Sequence, residues 1–189
     1  MRFSSIGDII LCTPVVRSLK KYYPDAEIYF LTKQAYSRVL DGNPYIDKVL
    51  KWEDSIDREI LRQQKFDAVV DLHRNLRTFR VKLMHWRTPY YGFSKQNLSK
   101  WLLVKTKNQK FAVDAIVNRY HRLVEDMNIA WDGDELDYYH LNETKDISSL
   151  PDGCIILVLG GTYYTKRIPE DWILQFLKEI DPQESLILL

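Results

Sequence analysis

The stretch RFSSIGDIILCTPVVRSLKK, Arg2 to Lys21, decides how the rest of the chain is read. A short Ser/Gly loop, Ser4 to Gly7, leads into one isolated acid, Asp8. An apolar run follows and ends in Lys20-Lys21. Ile9, Leu11, Val15, Val16, Leu19 and Tyr22 recur at helical spacing. Pro14 lies inside the run. Either Thr13 caps a helix whose first residue is Pro14, or one helix starts at Asp8 and bends at Pro14. The unbroken apolar pattern, with an acid at the positive end of the helix, favours the bent helix. Ligands of open α/β sheets sit where loops pass into helices. A carboxylate there either caps the helix or takes a proton from a substrate hydroxyl.

Outward from this stretch, short apolar strands alternate with helices. Strands are expected at 26–32, 47–52, 66–72 and 88–93, and helices at 33–40, 55–64, 74–86 and 113–127. In the 74–86 helix, Leu76, Phe79, Leu83 and Trp86 fall on one side. The alternation implies a parallel sheet covered on both faces. Residues 132–153 are acidic and weakly patterned, close on the turn Leu150-Pro151-Asp152-Gly153, and read as a linker. A strand at 154–159, a helix at 169–180 and a strand at 186–189 then begin a second unit. The expected organisation is a Rossmann-like domain over 1–131, a linker over 132–153, and the beginning of a second Rossmann-like domain over 154–189. A strand–helix–strand piece of that size cannot bury its own faces, and only Arg2-Phe3 precedes the first loop. Part of the frame of each domain is therefore expected to be missing, and the 189-residue chain alone is expected to be weakly active or inactive.

Composition narrows the class. Apolar residues make up 46% of the 189 residues, enough for a buried core. No apolar run approaches the length needed to span a bilayer. No secretory signal is read at the start, because Asp8 interrupts the only candidate run. Cys12 and Cys154 lie in apolar stretches without metal-ligand spacing and read as small core residues of a reduced, cytoplasmic protein. The net charge of +1 conceals a division: 72–113 holds no Asp or Glu but contains Arg74, Arg77, Arg80, Lys82, Arg87 and further lysines, whereas 114–152 is predominantly acidic. Such a block either meets an anionic partner or is a solvated basic face.

Two further loops could carry chemistry. Gly160-Gly161-Thr162-Tyr163-Tyr164-Thr165-Lys166 follows an apolar strand; glycines there admit backbone N–H groups to an anion, hydroxyls donate, and Lys166 supplies charge, a setting suited to a diphosphate. Asp71-Leu72-His73-Arg74-Asn75-Leu76-Arg77-Thr78-Phe79-Arg80 also follows a strand. Its arginines, three apart, would drift slowly around one side of a helix and could grip phosphate or carboxylate oxygens. His73 is either a donor to substrate or a structural histidine. Neither a Walker A loop, a G-x-G-x-x-G run nor a G-x-S-x-G elbow is present, and the aromatic residues are too dispersed for a base-stacking platform.

These segments, in this order, resemble glycosyltransferase family 9, the ADP-heptose:lipopolysaccharide heptosyltransferases. The resemblance lies in Arg2 to Lys20, in Asp71 to Arg77, and in Gly160 to Pro169 with Lys166-Arg167-Ile168-Pro169. It departs from the family pattern at Ile168, where an aromatic is usual, and at Met1, where the family has an apolar strand. The resemblance implies an α/β, GT-B type fold, two Rossmann-like domains facing each other across a cleft. It implies transfer of heptose from ADP-heptose to the inner core of lipopolysaccharide, inverting, with no cofactor and no obligatory metal. Asp8 matches the family's catalytic base, and Lys166 with Gly161 and Thr162 matches the donor-phosphate loop. Ser5, Gly7, His73, Arg74, Arg77 and Arg80 would lie on the acceptor side. A cytoplasmic enzyme working at the inner face of the bacterial inner membrane follows, with peripheral membrane contact and no nucleic-acid partner. Two alternatives remain: a non-catalytic basic module binding an anionic glycolipid or polyanion, and a GT-B transferase for another nucleotide sugar.

Overall fold

The computed structural model describes residues 1–108, 110, 114–133, 135–139, 151, 153–159, 164, 167–181 and 185–188. The chain divides into two compact units, Met1–Leu141 and Asn142–Leu189.

The first unit opens with α1 (Ile6–Ile10) and α2 (Thr13–Tyr22). Next come β1 (Tyr29–Thr32), α3 (Gln34–Ser37) with a 3-10 turn at Arg38–Leu40, β2 (Lys48–Lys51) and α4 (Ser55–Gln63). β3 (Val69–Asp71), α5 (Leu76–Met84), β4 (Tyr90–Gly92), α6 (Asn97–Thr106) and α7 (Ile116–Asp126) complete it. The single bent helix expected from Asp8 is not formed. The chain leaves α1 at Leu11 and re-enters a helix at Thr13. Proline has no N–H for the carbonyl four residues back, and its ring would strike that carbonyl, so Pro14 sits in the first turn of α2, where no N–H is needed. The Thr13 hydroxyl donates to the Ile10 carbonyl at 2.8 Å instead.

The strands pair in parallel, two by two, among the described residues. β1 lies against β2 with Phe30 opposite Val49 and Leu31 opposite Leu50; β3 lies against β4 with Val70 opposite Tyr91. Met1 and Arg2 join the two pairs. Arg2 N donates to Leu31 O at 3.1 Å, the Met1 amino group to Val70 O at 2.7 Å, and Leu72 N to Met1 O at 3.1 Å. These two residues therefore form the last rung of a ladder running between β1 and β3. Behind that rung, a cavity of about 780 Å³ continues between Phe30 of β1 and Val70 of β3, with Val16 and Leu19 of α2, Leu61 of α4 and Val81 of α5 also on its walls.

Neighbouring residues of a strand face opposite ways, and the core divides accordingly. Phe30 joins Ile9, Val15, Val16, Tyr120 and Val124 on one side. Leu31 joins Phe3, Leu50, Leu61 and Val81 on the other. Helices α1, α2 and α7 thus cover one face, and α4 and α5 the other. On α5, however, the apolar side marked by Leu76, Phe79 and Leu83, with Trp86 just beyond, faces away from the core. Those four residues are 72%, 51%, 57% and 70% exposed, and the helix buries Thr78 and Val81 instead. Helix α6, which has little amphipathic pattern, was not among the expected elements.

The beginning of the expected 132–153 linker is bound into the first unit. Arg17, almost wholly buried on α2, pairs through Nε with Asp132 and through Nη1 with Asp137, each at 2.5 Å. Asp132 N donates to Ser18 Oγ and Asp137 N to Thr13 Oγ1. Residues 140–150 and 152 lie outside the described residues.

In the second unit, β5 (Ile155–Leu157) and β6 (Leu186–Leu188) pair in parallel around α8 (Glu170–Glu179), with Ile156 opposite Ile187. No residue of α8 is buried, as anticipated for so small a unit.

Candidate functional site: a carboxylate fixed at the edge of the parallel strands

Asp8 lies in α1, directly after the rung that Met1 and Arg2 form between β1 and β3. It does cap the helix: Ser5 N and Ser5 Oγ donate to Asp8 Oδ2 at 3.2 and 3.1 Å. It is also held from behind. Arg2, a buried residue, places Nη2 2.6 Å from the same Oδ2. The Arg2 guanidinium is itself fixed, with Nε donating to Ser4 O at 2.6 Å and Nη1 to Leu72 O at 2.7 Å and to the Tyr120 hydroxyl at 3.4 Å. Tyr120 in turn donates to Leu72 O at 3.1 Å. Every contact to the carboxylate falls on Oδ2, so Oδ1 has no protein donor among the described residues while the side chain remains 32% exposed. Partial burial pushes the Asp8 carboxyl up, but the Ser5 N–H and the Arg2 charge outweigh this and hold it below the usual carboxylate range. The group is ionised at neutral pH, with one oxygen anchored and one available.

The loop after β3 supplies the neighbouring wall. Asp71, fully buried, accepts from His73 N and Arg74 N at 2.8 Å each and from the Tyr90 hydroxyl. The His73 ring stands edge-on to Phe3, with centroids 5.9 Å apart. Burial, then the charges of Arg2 and Lys95, push the His73 imidazole down to about 4, so it is neutral at physiological pH. Its Nδ1 is buried without a hydrogen-bond partner among the described residues. The structure thus brings Asp8, Ser5, Gly7 and His73 to one edge of the strands, Ser5 and Gly7 being exposed beside Asp8.

The arginines behave differently from one another. Arg74 precedes α5 in the left-handed region at φ 52°, so the three do not share one helical side. Its Nη1 donates to Phe93 O at 3.0 Å, and a Cβ on Gly92 would come 3.4 Å from Arg74 Cδ. Asn75 caps α5 through Arg77 N and Thr78 N, leaving the Arg77 side chain exposed in the first turn. Arg80 turns toward α4. Gly161, Thr162 and Lys166 lie outside the described residues. Sequence reasoning missed Arg2 and Tyr120 as the support of Asp8. A basic residue beside the chain start carries no periodic signal, and Tyr120 is read as one more core position of α7.

No protein-family model matches the chain. Among solved structures, it superposes on a family 9 glycosyltransferase from Veillonella parvula with a TM-score of 0.66 and 18% identity, covering 98% of this chain and 67% of that one. It superposes on Escherichia coli heptosyltransferase WaaC with ADP with a TM-score of 0.64 and 13% identity, covering 99% and 64%. These likenesses define the class, an α/β fold of the glycosyltransferase type. Among curated proteins, it is 30% identical over 130 residues to lipopolysaccharide heptosyltransferase 1 of Campylobacter coli, a match covering 65% of this chain and 38% of the relative. It is 39% identical over 84 residues to lipopolysaccharide heptosyltransferase 3 of E. coli, covering 38% and 24%. Both curated relatives are thus lipopolysaccharide heptosyltransferases, and the structural likenesses are to a family 9 glycosyltransferase and a heptosyltransferase. It spans well under half the length of the curated relatives it matches.

Proposed function

We propose that the protein is an inverting GT-B glycosyltransferase that moves heptose from ADP-heptose to the inner core of lipopolysaccharide, with Asp8 as the base. The observation that carries this reading is the anchored carboxylate of Asp8, with Oδ2 held by Arg2 and Ser5 and Oδ1 left for a substrate. In the reaction, an acceptor hydroxyl oxygen attacks the anomeric carbon from the face opposite the diphosphate. The new C–O bond forms as the bond to the ADP oxygen breaks, and ADP leaves with the electron pair. The hydroxyl proton passes to Asp8 Oδ1. A carboxylate of low pKa is a weak base for a ground-state alcohol, so the transfer comes late, once bond formation has made the oxygen acidic.

In this reading residues 1–131 form the acceptor-side domain, 132–153 the linker and 154–189 the beginning of the donor-side domain. Gly161, Thr162 and Lys166 hold the donor diphosphate. Ser5, Gly7 and neutral His73 border the acceptor hydroxyl, and Arg74, Arg77 and Arg80 face acceptor anions. The reaction takes place at the cytoplasmic face of the membrane, where a lipid-linked acceptor is found. The test is ADP release from ADP-heptose in the presence of heptose-deficient lipopolysaccharide, measured on the protein with an intact second domain. Release that needs both substrates supports the reading. Release with another nucleotide sugar in place of ADP-heptose, or none with any donor, contradicts it.

A further inference from the structure

Helix α5 is amphipathic in the wrong direction for a core helix. Its buried side is narrow, Thr78 and Val81 with the half-buried His85, while Leu76, Phe79 and Leu83, with Trp86 just beyond, stand outward at spacings of three, four and three. Exposed apolar residues are ordinary when scattered, but a helical stripe of three large ones with a tryptophan just past its end is not. The surroundings of the stripe are strongly basic. The 72–113 window holds no acid, and Arg77, Arg80, Lys82 and Arg87 flank the stripe. The Arg87 guanidinium lies 4.6 Å from the centroid of the exposed Trp86 ring.

Beside α5 there is also a shallow hollow of about 200 Å³ between it and α4. Arg58 and Arg62 of α4 and Arg80 and Met84 of α5 line it, over Trp52 and Leu61. Three guanidinium groups on one small hollow repel one another unless an anion joins them, and among the described residues the only acid paired with any of them is Glu59, 3.4 Å from Arg62. A single cationic hollow would fit many anions, and a lone apolar stripe would fit many partners. Side by side they match the chemistry of a phospholipid surface: phosphates for the arginines and acyl-chain boundary for Leu76, Phe79, Leu83 and Trp86.

The geometry points to α5, with the arginine hollow beside it, as the face by which this protein lies on an anionic phospholipid membrane. Contact is peripheral, since among the described residues no helix is long and apolar enough to cross a bilayer. The helix lies in the interface plane, with its stripe at the depth of the acyl-chain boundary and the arginines at the headgroup phosphates. Trp86 anchors at the boundary with Arg87 on its ring. This deepens the transferase reading by naming the surface that meets the membrane, but it stands on α5 itself.

The experiment is co-sedimentation of the 189-residue chain with vesicles that contain no sugar acceptor, so that failure of the transferase reading cannot affect it. One set is phosphatidylcholine alone and the other contains about one third phosphatidylglycerol. Binding to the anionic set at least tenfold tighter, weakened by salt, is expected. Leu76→Gln/Phe79→Gln/Leu83→Gln and, separately, Arg58→Gln/Arg62→Gln/Arg80→Gln should each lower it roughly tenfold or more. All six positions are exposed or line the surface hollow, and unchanged far-ultraviolet circular dichroism and melting confirm that both variants fold. The blue shift of the tryptophan emission on vesicle binding should shrink in Trp86→Phe. Equal binding to both vesicle sets, or none, overturns the proposal. So does concentration-dependent self-association abolished by the apolar triple substitution, which would assign the stripe to a second copy. Binding to heparin without binding to vesicles overturns it as well.

Discussion

At the scale of single residues, Arg2 and Asp8 act as one unit. Arg2 spends its donors on Ser4 O, Leu72 O and Asp8 Oδ2, so it positions the carboxylate and holds its pKa down. Arg2→Met removes the charge while keeping an unbranched chain. The Asp8 carboxyl then rises, and the acidic limb of the pH–rate profile moves to higher pH; an unmoved limb would show that Arg2 is only structural. Tyr120→Phe removes the donor to Leu72 O, a loss of about 1 kcal/mol in urea unfolding. His73 gives a separate pH signature. Its folded pKa lies near 4, below its ordinary 6.5, so the unfolded chain binds more protons between those values. Its contribution to stability is complete above about 6.5 and is lost as pH falls toward 4. Urea midpoints measured from pH 7 to pH 4 should fall less steeply in His73→Asn than in the parent chain. None of this support network was readable beforehand. The isolation of Asp8 was visible in the sequence, but its partners are brought to it by strand pairing and by α7, which are not local.

At the scale of elements, patterns proved more legible than directions. The spacing of Leu76, Phe79 and Leu83 marked a helix, which ends at Met84 short of Trp86, yet periodicity states only that one side is apolar, not which way that side turns. Here Thr78 and Val81 face the sheet, because the Asn75 cap and the Asp71 turn fix how α5 enters. The break at Leu11 and Cys12 was misjudged for a related reason. Apolar periodicity crosses Pro14 undisturbed, while the missing N–H does not. Helix α6 escaped notice because Asn97–Thr106 has little amphipathic pattern. The linker reading failed to anticipate Arg17. A basic residue in an apolar run looks like a solvated position, but here it draws in Asp132 and Asp137 from more than a hundred residues away. Arg17→Met should free residues 135–137 and cost about 1–3 kcal/mol, since it leaves the Asp137 carboxylate without its partner while Asp132 keeps Lys21 at 2.9 Å. Faster amide exchange confined to that segment and to the start of α2 is the expected signature.

At the scale of the molecule, a cavity of about 780 Å³ lies between β1 and β3 of the first unit. The two strand pairs are joined through Met1 and Arg2, and the cavity is lined by apolar strand and helix residues together with Asp25, Glu27, Lys65 and Asp67. The Met1 amino group is buried at its mouth, and desolvation lowers its pKa. The α/β class was legible in the sequence because short apolar strands and helices alternate. The two-by-two pairing was not, since it depends on what lies between β1 and β3.

The transferase reading depends on Asp8 Oδ1 accepting a proton. The direct measurement is ADP release with ADP-heptose and heptose-deficient lipopolysaccharide for the parent protein with an intact second domain and its Asp8→Asn variant, beside calorimetric binding of ADP-heptose to both. Asparagine keeps the shape of the side chain but cannot take the proton. The account predicts that turnover falls about 10²–10⁴-fold while donor affinity is unchanged. Turnover in Asp8→Asn within a few-fold of the parent would contradict it.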